Sequence, residues 1–356
     1  MDIQKAIVEL KNSMEEPFED RCKVFVKNKN QLQKEIDKNP GNVDAWCLLV
    51  IVLLELRYSD EACMAVLDKC YRANKGQLKD RDYALWATNK AYFLLEELYG
   101  EEHKKEGIGL LKEAVEKNSP FAETYYGLGK VYYFEGQLEE ALFHFQKAYD
   151  LSGDRAYGYC QATSLLALGR TAEGLELLRD LHEPDQTVST DVDISILMTL
   201  VRECAALDYV EEAEMLLDEL EEVEEIYPDQ MAEIYFLLEH YEDCIRCYEM
   251  EHMWAEAYWL GIYFYALKQL DEQTKGDLQV YYIINQIQDG MIELQCDPML
   301  EEDSIEEQAR YVVSEMNRLS EITQIHNEVF EKDFCPEVEI GYDLVYECYY
   351  VNCPRR

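Results

Sequence analysis

The stretch from Ala122 to Leu151, AETYYGLGKVYYFEGQLEEALFHFQKAYDL, constrains this chain more than any other thirty residues in it. Leu128, Gly129 and Tyr132 fall on one face of a first helix. Ala141, Phe145 and Ala148 fall on one face of a second, and Glu135-Gly136 marks the turn between them. Small residues stand where two helix backbones must approach closely, and large ones fill the space between. The chain has only 8 prolines and 16 glycines, few for an all-β chain with many turns.

The same spacing recurs on both sides. Upstream, Leu111 and Ala114 take the places of Phe145 and Ala148, with Gly107 at the small packing site. The helix before them is read as Arg81 to Leu98, with a polar connection from Tyr99 to Glu106. Earlier still, Asn39-Pro40-Gly41-Asn42 makes a turn from which Val43-Asp44-Ala45-Trp46 starts a helix, and Trp46, Leu49 and Ala62 fit the spacing. Downstream, Gly169, Gly174 and Leu178 correspond to Gly136, Ala141 and Phe145, and Asp208, Ala213 and Leu217 take the same places one unit later. Cys244 and Tyr248 follow, and then Leu260, Gly261 and Phe264 restore the first-helix signature.

This pattern resembles the tetratricopeptide (TPR) repeat, a helical hairpin of roughly 34 residues that stacks on copies of itself. The resemblance implies an all-α, right-handed superhelical solenoid of TPR-like hairpins with helical caps. Residues 1–40 are expected to form N-terminal capping helices, 43–290 about six to seven hairpins, and 291–356 a C-terminal helix and an irregular cap. The final helix is read over 303–328, with Ser304 as N-cap and Ile305, Ala309, Val312, Val313, Met316 and Leu319 on its apolar side. Phe334 to Val351, rich in Val, Ile and Tyr, reads as a short hairpin or an irregular cap.

The formal net charge is -41, and its distribution is uneven. Residues 1–160 carry 22 basic and 28 acidic side chains, whereas 161–356 carry 11 and 46. Such a field repels nucleic acid and anionic lipid and favours a basic partner. Within it, Glu211 to Glu225 places nine carboxylates in fifteen residues, with Met215, Leu216, Leu220 and Val223 as the apolar face. Glu211, Glu212, Glu221, Glu222, Glu224 and Glu225 are the candidate acidic surface.

The longest apolar run, Trp46 to Leu54, is about half the length of a membrane span. Met1 to Leu10 lacks the apolar core of an export signal, so a cytoplasmic protein with reduced thiols is expected. Neither His240-x-x-x-Cys244-x-x-Cys247 nor the trio Cys335, Cys348 and Cys353 completes a four-ligand set, so no metal site is expected. Gly127-x-Gly129-Lys130 lies within a helix pattern and lacks phosphate-loop spacing. No catalytic constellation and no cofactor motif is present.

In the resembling family, first helices make the inner wall on which clients lie. Carrying those positions over yields Tyr126, Lys130, Tyr133 and Phe134 in the strongest repeat, Tyr159 in the next, and Tyr258 and Tyr265 near Gly261. The residues with which some members clamp a C-terminal carboxylate are missing: Tyr126 and Lys130, or Cys47 and Ile51, stand in their places. The expected function is therefore non-catalytic binding of a basic protein or peptide, through this tyrosine-rich groove and the acidic C-terminal half. An immunity protein or antitoxin that neutralises a basic toxin by acidic mimicry is an alternative, and a peptide-sensing regulator is another.

Overall fold

The computed structural model describes residues 2–182, 190–223, 228–251, 257–296, 305–332, 334–338, 340–345 and 350–355, and every regular element among them is helical. The chain divides into two compact units, Met1–Asp185 with Tyr342–Arg356, and Gln186–Gly341. In the first, α1 (Ile3–Asn12) and α2 (Phe18–Lys38) precede four hairpins. These pair α3 (Val43–Glu55) with α4 (Asp60–Asn74), and α5 (Asp80–Tyr92) with α6 (Glu101–Glu116). They continue with α7 (Ala122–Phe134) and α8 (Leu138–Ser152), then α9 (Arg155–Ala167) and α10 (Thr171–Leu181). The second unit pairs α11 (Asp191–Ala206) with α12 (Val210–Glu221) and α13 (Pro228–Leu237) with α14 (Tyr241–Glu251). It ends with α15 (Ala257–Gln269), α16 (Gln273–Cys296) and α17 (Ile305–Lys332).

One backbone device closes five of these hairpins and the turn between α15 and α16. The amides of Tyr58, Gln137, Arg170, Tyr209, His240 and Glu272 reach back five residues, to the carbonyls of Leu53, Tyr132, Leu165, Cys204, Tyr235 and Leu267, at 2.8–3.0 Å. In each case the residue before the amide is left-handed: Arg57, Gly136, Gly169, Asp208, Glu239 and Asp271, with φ between 57° and 72°. This geometry satisfies carbonyls that the end of a helix leaves open. Of the four positions without glycine, Asp208 and Asp271 adopt this conformation more readily, whereas Arg57 and Glu239 carry about 1–2 kcal/mol of local strain, which the packing of the paired helices offsets.

Helix starts follow local chemistry as well. Asn42 caps α3 by accepting from the Ala45 amide, and the Trp46 indole donates to the Pro40 carbonyl at 2.9 Å. Thr190 and Asp193 form a reciprocal capping box at the start of α11.

The hairpins pack through the small residues that the sequence places at their contacts. Ala141, Gly174, Ala213 and Cys244 hold the same second-helix position, and all four are buried. A Cβ added at Gly129 would lie 2.6 Å from the Phe145 ring, so any larger residue there forces that ring to shift.

Several local expectations need correction. The helix expected over Arg81–Leu98 is α5 followed by a π-helical turn, Phe93–Glu97; α6 already starts at Glu101, inside the expected polar connection. The turn keeps Phe93 and Leu94 buried after the regular ladder has ended. The acidic helix stops at Glu221, and its buried face is Ala213, Leu216, Leu217 and Leu220. Met215 is 65% exposed, and Val223 lies beyond the helix end. Along α17, Val313 and Met316 are exposed, whereas Ile322 and Val329 are buried and His326 and Phe330 pack on Phe264. Ser304, the expected cap, lies outside the described residues, as do Glu224, Glu225 and Cys348.

The all-reduced expectation also fails at one place. Cys22, Cys47, Cys63, Cys70, Cys160, Cys204, Cys244, Cys247 and Cys335 are free thiols, but Cys353 is disulfide-bonded. Packed helices hold their own cysteines at fixed separations, whereas Cys353 sits in a turn outside any helix, where the chain can adopt the short Cα separation a disulfide requires.

Candidate functional site

The first helices of the first unit, α3, α5 and α7, lie side by side, and residues near the C-terminus contact all three. Tyr133 and Tyr126, on α7, donate their hydroxyls to the carbonyls of Tyr342 at 2.6 Å and Val345 at 3.2 Å. Tyr350 packs against Tyr92 of α5, with ring centroids 6.2 Å apart. Arg355 then donates to both carboxylate oxygens of Glu55, at the end of α3, at 2.7 and 3.1 Å. The segment thus passes from α7 to α5 to α3. Val345, Tyr350, Val351, Cys353 and Pro354 are buried there.

The spacing explains the conformation. Tyr126 and Tyr133 stand seven residues, or two turns, apart, which is about 10.5 Å along the helix. Three residues of extended chain span about 10 Å. Tyr342 and Val345 therefore meet the two hydroxyls only in an extended segment running antiparallel to α7.

Electrostatics favour the same arrangement. Burial, with Tyr159 and Asp343 close by, pushes the Tyr133 phenol up to about 12, so it remains a proton donor at neutral pH. Glu97, beside the arginine end, is raised first by burial and then by the charges of Asp60 and Glu96; the Tyr350 hydroxyl and Arg355 partly offset this. Glu55, Glu97, Glu96 and Asp60 make that end of the face acidic, suited to a cation.

The sequence-derived groove residues fall into two sets. In the first unit, Tyr126 is 1% exposed and Tyr159 is buried, so each serves as packing as much as surface. Lys130 pairs with Glu96 at 2.7 Å, and Phe134 is 70% exposed. Beside Phe134 opens a cleft of about 510 Å³, lined by Leu94, Leu98, Tyr99, Lys104, Lys130 and Val131. In the second unit, Tyr258 donates to Glu233 at 2.9 Å, and Tyr265 packs edge-on against Phe236 and Tyr241. Arg202 lies 3.8 Å from Glu233 and donates to the Gly341 carbonyl at 2.7 Å.

Of the acidic surface, Glu211, Glu221 and Glu222 are exposed and Glu212 is half-buried; Glu221 accepts from the Tyr235 hydroxyl at 2.6 Å. His240 contacts Glu214 at 3.0 Å, while burial pushes the Cys244 thiol up to about 12, the opposite of what a thiolate ligand needs. Sequence reasoning missed Glu55, Tyr92 and the C-terminal segment as parts of one face. The one available signal was Arg355 following a stretch rich in Val and Tyr.

Comparison with protein families matches residues 122–155, spanning α7 and α8, to the tetratricopeptide repeat. That hairpin is a tetratricopeptide repeat, and the described chain is an all-α array of helical hairpins around it. Among solved structures, the chain is similar to yeast Tom70, with a TM-score of 0.41 and 11% identity over 94% of this chain and 67% of that one. It is also similar to the TPR domain of P58(IPK), with a TM-score of 0.23 and 13% identity over 93% of this chain and all of that one. No curated protein matches the sequence significantly. Among the described residues, no helix is long and apolar enough to cross a membrane.

Proposed function

We propose that this chain, which carries a tetratricopeptide repeat, is a non-catalytic cytoplasmic interaction module that takes a segment of a basic protein or peptide on the first-helix face of its first unit. One observation carries the reading: that face already holds a segment of chain, extended where Tyr342 and Val345 offer their backbone carbonyls and turned where Tyr350, Val351 and Arg355 offer side chains. Tyrosine suits the role, since it offers a broad apolar ring and a polar tip at low cost in side-chain entropy. The acidic surfaces, Glu211 and Glu212 and Glu221 and Glu222 among them, would steer a basic partner toward the protein without fixing its register.

The test is binding of fluorescent peptides about fifteen residues long, matched in length and differing in charge, across a salt series. Basic peptides should bind best, and their association should slow with salt, because exposed charges are screened over about 8–10 Å at physiological ionic strength. Replacing Glu221 and Glu222 by glutamine should lower the association rate, and Tyr133→Ala should speed dissociation. Affinity independent of both peptide charge and salt would overturn the basic-partner reading.

A further inference from the structure

The residues that hold the C-terminal segment make three different kinds of contact, and together they describe a ligand. The hydroxyls of Tyr126 and Tyr133 read only backbone carbonyls, so they demand an extended chain without choosing its sequence. Tyr92 presents a ring to one aromatic side chain, and the neighbouring surface buries a branched one, the places of Tyr350 and Val351. Glu55 sits 88% out of solvent at its side chain and takes both ends of a guanidinium fork, which a lysine ammonium cannot match. These contacts join residues 209, 219 and 300 positions apart in the chain. They therefore resemble the docking of a separate peptide more than the closing of a local turn.

Resting on the peptide-binding reading above, we propose that residues 342–345 and 350–355 are the chain's own stand-in for its partner. The partner is then a protein segment that is extended where its carbonyls meet the two tyrosines and that turns between an aromatic-branched pair and an arginine about four to five residues on, and it must displace the C-terminal segment to bind. A site filled from within shows a weakened apparent affinity, in proportion to the fraction of time it is open. Tyr350→Ala with Arg355→Glu removes the ring and reverses the charge on the resident segment, leaving Glu55, Tyr92, Tyr126 and Tyr133 in place.

The experiment uses the full chain and a fluorescent synthetic peptide of residues 342–355, with serine at its cysteines. Anisotropy should show the peptide binding the double variant at least about tenfold more tightly than the wild type, as expected if the resident segment fills the site some nine-tenths of the time. Adding Tyr126→Phe and Tyr133→Phe to the double variant should reverse the gain, since only the two hydroxyls are lost. Equal affinity for wild type and double variant would overturn the displacement proposal while leaving peptide binding standing. Absence of binding to both, with basic peptides also failing on the double variant, would overturn the two readings together.

Should the double variant fail to fold, hydrogen exchange on the wild type decides the matter. Saturating peptide should then expose the amides of 342–345 and 350–355 to exchange while α7 and α8 stay protected. Unchanged protection of the segment at saturation would refute displacement.

Discussion

Gly129→Ala adds a single methyl group at the place where α7 and α8 touch, so it measures how close that contact is. The new Cβ would lie 2.6 Å from Cδ1 and 2.7 Å from Cε1 of Phe145. Carbon atoms in favourable contact stand about 3.5–4.0 Å apart, so the ring must retreat by roughly 1 Å. It has little room to do so: Phe145 is fully buried, with the rings of Tyr126 and Tyr133 centred 5.6 and 6.4 Å away. Overpacking of this kind costs about 1–3 kcal/mol. Against it stands the better helix propensity of alanine, about 1 kcal/mol, leaving a net loss of about 0–2 kcal/mol by those two terms.

Gly109, in α6, supplies the control. It is helical too, but nothing lies within 4 Å of its added Cβ, so Gly109→Ala should stabilise by about 0.5–1 kcal/mol through propensity alone. The assay is urea unfolding of both variants, with hydrogen exchange resolving the α7 and α8 amides. Adding Phe145→Leu should recover part of the Gly129→Ala loss in a double-mutant cycle, because the two sites are in contact. If the two glycine variants shift stability equally, to within about 0.5 kcal/mol, the helix contact at Gly129 is not close and the repeat register argued from it is wrong.

His144 and the thiols give further expectations. Burial holds the His144 imidazole down at about 4, with Lys112 adding to the effect, so the fold favours its neutral form. Its contribution to stability is complete above the ordinary value near 6.5 and is lost as pH falls from there toward 4. His144→Phe, which keeps a ring beside Tyr132, should gain on the wild type as the pH of unfolding experiments drops from 7 to 4.5; parallel curves would refute this. Burial pushes Cys70 and Cys244 up to about 12, whereas Cys335 is exposed, so iodoacetamide at pH 8 should label Cys335 first and reach the other two only on unfolding. Mass mapping that finds Cys70 or Cys244 labelled as fast as Cys335 would show that their helices open readily.

The sequence alone determined what depends on near neighbours. Small and large residues at helical spacing place Ala141, Gly174, Ala213 and Cys244 in one recurring contact, and Asn42 and Gly136 mark a start and a turn through bonds reaching only three to five residues. Such signals survive without any knowledge of the rest of the chain. Even so, Arg57 and Glu239 are poor announcements of a left-handed turn, because their conformation is imposed by helix packing and not by their own preference. The tertiary structure decided which surface is open. Tyr126 and Tyr133 were legible as first-helix positions, but whether they face solvent depends on what lies across from them. That is a segment more than 200 residues away, extended and therefore without helical periodicity. The pairing of Glu55 with Arg355, 300 residues on, has no local signature for the same reason: it forms only when two distant pieces of chain are brought to one face.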